Sequence, residues 1–164
     1  MKTYLNWKRG TFSTTYRIFS GENAIGQLQN QSFKKTALGS IHQKRYTFNT
    51  KGVFKQETQI LDGDSHKLIG TITYGSMMTR ATVRFSDRTV YWKYDNTWQT
   101  KWSLFNEKGI LMKFSGRATS GTIECDDPDE LLVLCGLFVT NYYQQAMIAV
   151  FVAVFIPVWV TLFN

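Results

Sequence analysis

The chain has 164 residues, enough for one domain around a single hydrophobic core, and its two cysteines are too few for a disulfide framework. The 19 Lys and Arg against 12 Asp and Glu give a formal charge of +7, and every one of those cations precedes residue 131. A basic body suits an anionic bilayer surface; nucleic acid is the competing anion, but no recognised binding motif supports it as a partner.

Residues 1–12 lack the unbroken apolar core of a signal peptide, so export is not expected and both thiols, Cys125 and Cys135, are read as reduced. Strand signals follow. Residues 37–41 and 45–48 flank the polar His42-Gln43-Lys44, and Gly52 introduces a predicted strand at 53–60. Asp62-Gly63-Asp64 predicts a hairpin turn into a strand at 67–74. Ile25-Gly26-Gln27-Leu28 recurs 44 residues later as Ile69-Gly70-Thr71-Ile72, and the same frame aligns Ser32 with Ser76, Phe33 with Met77, Ala37 with Ala81, Ile41 with Phe85 and Phe48 with Trp92. A duplicated all-β unit is the simplest physical reading. Strands at 81–85 and 89–94 enclose the turn Ser86-Asp87-Arg88, and those at 102–105 and 110–114 enclose Asn106-Glu107-Lys108-Gly109. Strands spaced every 8–12 residues predict a meandering sheet or barrel.

Polarity changes at Cys125-Asp126-Asp127-Pro128-Asp129-Glu130. Carboxylates meet the free N–H groups and positive dipole of a helix start, and proline is tolerated there. The spacing predicts a helix from about Pro128 through residues 131–139, apolar on every side. A polar break at 140–145 then precedes a second apolar run, 146–163, which is interrupted chemically only by Pro157 and Thr161. That run has the length of a transmembrane helix, which needs roughly 17–25 apolar residues.

Duplicated Ile-Gly-x-Leu/Ile units at Ile25 and Ile69, aromatic strands and a capped apolar helix from Pro128 resemble the tubby C-terminal-like superfamily, which includes the LURP-one-related proteins and the phospholipid scramblases. The likeness spans about residues 15–143. It implies a mainly β fold: a closed antiparallel β-barrel from duplicated strand units around an apolar C-terminal helix. Residues 131–139 rise only ~14 Å, too short for a bilayer but suited to a barrel core. Residues 146–163 exceed the family pattern and are assigned to a transmembrane tail, giving a barrel over 1–143 with its helix from about 128, and an anchor over 146–163.

Tyr142 and Tyr143 precede the apolar run and Trp159 lies near its far end, positions suited to interfacial anchors. Charge asymmetry places the body on the cytoplasmic side, although no Lys or Arg lies between Arg117 and the run. His42 and His66 read as turn residues without metal-ligand spacing. Asp62-Gly63-Asp64 lacks the further ligands of an EF-hand loop, and Asp126, Asp127, Asp129 and Glu130 are explained by helix capping. The glycine-rich stretch 116–122 lacks a P-loop lysine. No metal, cofactor or catalytic residue is expected, and the chain reads as a non-enzyme. Lys34, Lys35, Lys44, Arg45, Arg80, Arg84 and Arg88 concentrate in corresponding parts of the two repeats. The resemblance implies that they contact anionic phospholipid; ordinary solubilising charge on the outer face of a sheet is the simpler reading. The expected function is a membrane-anchored module contacting anionic lipid or a protein partner. The alternatives are a scramblase-like lipid-moving protein and a soluble tubby-like interaction domain with its whole tail buried.

Overall fold

The computed structural model describes residues 1–31 and 35–163. Twelve strands alternate in direction along the chain: β1 (Thr3–Arg9), β2 (Thr15–Ser20), β3 (Asn23–Asn30), β4 (Thr36–Ile41), β5 (Lys44–Lys51), β6 (Glu57–Asp62), β7 (Leu68–Tyr74), β8 (Arg80–Phe85), β9 (Thr89–Tyr94), β10 (Lys101–Asn106), β11 (Gly109–Gly116) and β12 (Ser120–Cys125). Each pairs antiparallel with its sequence neighbour, and β1 closes the barrel on β12 from Thr3↔Cys125 to Lys8↔Ser120. Closure leaves no unpaired sheet edge. One helix, α1 (Glu130–Phe163), follows β12.

Alternation in the sequence sets the two faces of the wall. Ala37, Gly39 and Ile41 of β4 point inward, as do Phe48 and Thr50 of β5, Ala81 and Val83 of β8, and Val90 and Trp92 of β9. The repeat is structural as well as textual. Thr36–Ile41 maps onto Arg80–Phe85, and Glu57–Asp62 onto Lys101–Asn106, at the same 44-residue offset. Register breaks at Ile60/Leu61 and Leu104/Phe105 obey that offset too, and a further one falls at Ile18/Phe19. Bulges of this kind bend strands and increase twist, which helps a wide sheet close.

The lumen is too wide for wall side chains alone to fill, and the first half of α1 occupies it. Leu132, Val133, Leu134, Cys135, Leu137, Phe138 and Val139 are buried on every side of the helix, which explains why no polar stripe exists there. Asp129 caps the helix, its Oδ1 accepting from Leu132 N at 3.1 Å. Phe138 stacks on Phe48, with ring centroids 4.7 Å apart. Close approach requires two glycines: a Cβ on Gly39 would stand 3.0 Å from Leu134 Cδ1, and one on Gly136 only 2.2 Å from Phe114 Cζ.

Two sequence expectations change. The strand expected from residue 53 begins at Glu57, because Gly52, at φ 92°, turns the chain and leaves Val53 and Phe54 exposed. The polar break expected at 140–145 is continuous helix. Its polar groups are satisfied without unwinding: Thr140 Oγ1 donates to Gly136 O at 2.9 Å, and Asn141 Oδ1 accepts from wall side chains. A core helix and a tail helix are therefore one rod, long and apolar enough to cross a membrane. Its residues from Met147 to Leu162 are exposed.

Candidate functional site

Antiparallel alternation divides the turns between two ends. The helix enters at the end formed by the β2–β3, β4–β5, β6–β7, β8–β9 and β10–β11 turns. It leaves through the other, formed by the β1–β2, β3–β4, β5–β6, β7–β8, β9–β10 and β11–β12 turns.

A layer of polar side chains surrounds the exit, between the apolar core and the outside. Arg9 Nη1 donates to Tyr16 Oη at 3.0 Å and to Asn141 Oδ1 at 3.4 Å, while Arg9 Nη2 reaches Ala118 O at 3.0 Å. The Arg9 guanidinium also lies over the Tyr16 ring, 4.9 Å from its centroid. Thr50 and Thr58 hydroxyls meet at 2.7 Å, and Thr58 meets Tyr74 Oη at 2.6 Å. Tyr142 stacks on Tyr74 at 3.8 Å between centroids and donates its hydroxyl to Gln56. Tyr143 donates to Arg80 O and accepts from Gly75 N at 3.2 Å. Burial pushes the Tyr143 hydroxyl up to about 12 and holds Tyr74 well above the ordinary tyrosine value, so both remain neutral donors. A cavity of about 250 Å³ opens beside the helix among Asn30, Lys35, Thr50, Gln56, Asn141 and Tyr142.

The tyrosines expected as interfacial anchors thus take other partners. Tyr143 is buried in the barrel and Tyr142 half-buried, and both staple α1 to the wall. Trp159 is exposed on the far part of the helix.

The seven cations singled out from the sequence do not form one site. Lys35 and Arg80 lie at the exit end, where Lys35 Nζ donates to Gly52 O at 2.7 Å. Lys44, Arg45 and Arg88 lie at the entry end, each beside a carboxylate. Lys44 Nζ is 3.1 Å from Glu130 Oε2, Arg88 Nη2 is 2.5 Å from Asp129 Oδ2, and Arg45 pairs with Asp64. Arg84 lies on the outer wall and donates to Thr73 Oγ1 at 3.0 Å. Lys34 lies outside the described residues.

Lys51, Lys55, Lys101 and Arg117 join Lys35 and Arg80 at the exit end. Sequence reading missed them because they are scattered along the chain; the available signal was parity, since every second turn of a meander faces the same way. Glu57 and Asp95 are the acidic residues at this end, and the other carboxylates of the chain belong to the entry end. There His42 Nδ1 lies 2.6 Å from Glu130 Oε1. Burial pushes the Glu130 carboxyl up, but hydrogen bonds from Lys44 and His42 outweigh it and set it below its ordinary value. Asp62 turns the β6–β7 hairpin through its own carboxylate, which accepts from Ser65 N at 2.7 Å and Asp64 N at 3.1 Å. Cys125 and Cys135 are free and buried, and burial raises both thiols. Among the described residues, no group of three or more His, Cys, Asp or Glu is placed to hold a metal ion.

Comparison with family models, curated proteins and solved structures finds no match. The fold defines the class: a closed 12-strand antiparallel β-barrel filled by a C-terminal helix that continues beyond it as a candidate membrane span.

Proposed function

We propose that this chain is a non-catalytic, membrane-anchored β-barrel module of tubby-like architecture, held in the bilayer by residues 146–163 and contacting anionic phospholipid or a protein partner. The observation that carries the reading is the change of environment along one unbroken helix: α1 is buried in protein as far as Tyr143, and exposed and predominantly apolar from Met147 to Leu162. In water such a segment leaves a large apolar surface unburied, whereas in hydrocarbon both its side chains and its internally bonded backbone are satisfied. Pro157 is compatible with a span, and Thr161 Oγ1 donates back to Pro157 O at 3.0 Å. Residues 146–163 rise ~27 Å, close to the hydrocarbon thickness of ~30 Å.

The exit-end cations support a cytoplasmic body. The chain has no Lys or Arg between Arg117 and the span, but the fold brings Lys35, Lys51, Lys55, Lys101 and Arg117 around the point where the span begins. Cations gathered at the mouth of the span are attracted to the anionic lipids of a cytoplasmic leaflet. Alkaline carbonate extraction of membranes carrying the full chain, beside a variant ending at Gln145, tests the anchor. Retention of the full chain with release of the shortened one is expected; release of both would refute anchoring. A dye-transfer assay in proteoliposomes separates a lipid-moving activity from a binding module, for which no transfer above protein-free vesicles is expected.

A further inference from the structure

Apart from the N-terminal Met1, the large apolar residues left most exposed among the described residues of the barrel gather at one end. Phe12 of the β1–β2 turn is 99% exposed, Phe54 of the β5–β6 turn 104%, Met77 of the β7–β8 turn 80% and Trp98 of the β9–β10 turn 85%. All four turns belong to the end through which α1 leaves. None of these side chains is needed by the core, and loop tips in water are ordinarily polar. The same end of the barrel carries the surplus cations Lys35, Lys51, Lys55, Lys101 and Arg117, while the opposite end collects most carboxylates.

Distance turns this pattern into a contact. No linker separates the barrel from the span, because Tyr142 and Tyr143 clamp α1 to the wall and the apolar segment starts three residues later. The headgroup region adds only about 5–8 Å on each side of the hydrocarbon. A rod fixed in the barrel and starting its span at residue 146 therefore places the turns around its exit in that region.

We infer that the exit end of the barrel is itself a membrane-docking surface, on which Phe12, Phe54, Met77 and Trp98 enter the interface of an anionic leaflet while the surrounding lysines and Arg117 contact its phosphates. The inference rests on the anchor proposed above and adds the orientation of the body: end-on, with its acidic entry end pointing away from the membrane. Apolar tips ringed by cations match this occupant in both chemistry and depth. The barrel is thus held at many points around its helix and does not swing freely beneath a tether.

Bimane labels on single introduced cysteines test it in the full chain, since Cys125 and Cys135 are buried and shielded from labelling. The substitutions are Phe54→Cys and Trp98→Cys at the exit end, Glu107→Cys at the entry end and Val154→Cys within the span. The protein is reconstituted in phosphatidylcholine vesicles with roughly 30% phosphatidylserine and nitroxide-labelled lipid as quencher. Quenching at positions 54 and 98 about threefold above that at 107 is expected, falling about twofold in the Lys51→Gln, Lys55→Gln, Lys101→Gln background or in vesicles of phosphatidylcholine alone. Quenching at 154 without quenching at 54 or 98 would overturn the docking surface and leave the anchor standing. Absence at 154 would overturn the anchor itself. Equal quenching of the tips in neutral and anionic vesicles would overturn the choice of an anionic leaflet.

Discussion

Replacing Gly136 with alanine tests where the helix lies with a single methyl group. In an exposed helix the change would stabilise by about 1 kcal/mol, because alanine is the better helix former. Here the added Cβ would stand 2.2 Å from Phe114 Cζ, 2.7 Å from Cε2 and 2.9 Å from Cε1, against ordinary carbon contacts of about 3.5–4.0 Å. The ring has little room to retreat: Phe114 stacks on Trp102 at 5.6 Å, and Trp102 packs on Trp7 at 6.3 Å between centroids. Overpacking of a dense core by one group costs about 1–3 kcal/mol, and overlap with three ring atoms belongs at the upper end. After the propensity gain, a net loss of about 2 kcal/mol is expected, or a fall in Tm of roughly 4–8 °C for a chain of this size. Denaturation of the full chain in detergent micelles, followed by tryptophan fluorescence, reads it. Combining Gly136→Ala with Phe114→Leu should recover at least about 1 kcal/mol, since the two positions are in contact. A Gly136→Ala protein as stable as the parent, or more so, would refute the threading of α1 through the barrel in this register.

Tyr94→Phe should raise stability by about 1 kcal/mol, because the Tyr94 hydroxyl is buried without a hydrogen-bond partner among the described residues; a loss of similar size in denaturation would contradict this. Glu130 has a carboxyl pKa below its ordinary value of 4.5 in the folded protein, so its contribution is present above that value and is lost as pH falls through the depressed one. Acid titration of stability should therefore be shallower below about pH 4.5 for Glu130→Gln than for the parent, and identical slopes would remove Lys44 and His42 as its stabilising partners. Val154→Arg places a cation in the middle of the span, where insertion costs about 2.5–3.5 kcal/mol; release from membranes at alkaline pH should increase, and unchanged retention would count against the span.

Where the strands fall was legible because alternation reports directly which face of a strand is buried. Residues 81–85 and 89–94 read correctly for that reason, and the 44-residue repeat anticipated a closed wall of similar units. Residues 53–56 misled because Val53 and Phe54 have strand-like side chains; their exposure follows from the tight turn at Gly52 and from their place at the barrel end. The break at 140–145 misled for a related reason. Polar residues suggest a loop when their partners are unknown, but Arg9 and Tyr16, distant in sequence, satisfy Asn141 within the helix.

By itself the sequence determined local matters: the strand periods, the capped helix start, the uncharged tail and the basic excess of the body. These depend on neighbours a few residues apart, and periodicity records them. Only the tertiary structure decided that both apolar runs form one rod, that Tyr143 is a core residue, and that the chosen cations divide between opposite ends. It also brought Phe12, Phe54, Met77 and Trp98 to the rim around the helix exit. The physical reason is closure. An antiparallel barrel sends alternate turns to opposite ends and passes the helix out through one of them, so residues far apart in the chain share an environment that no local pattern encodes.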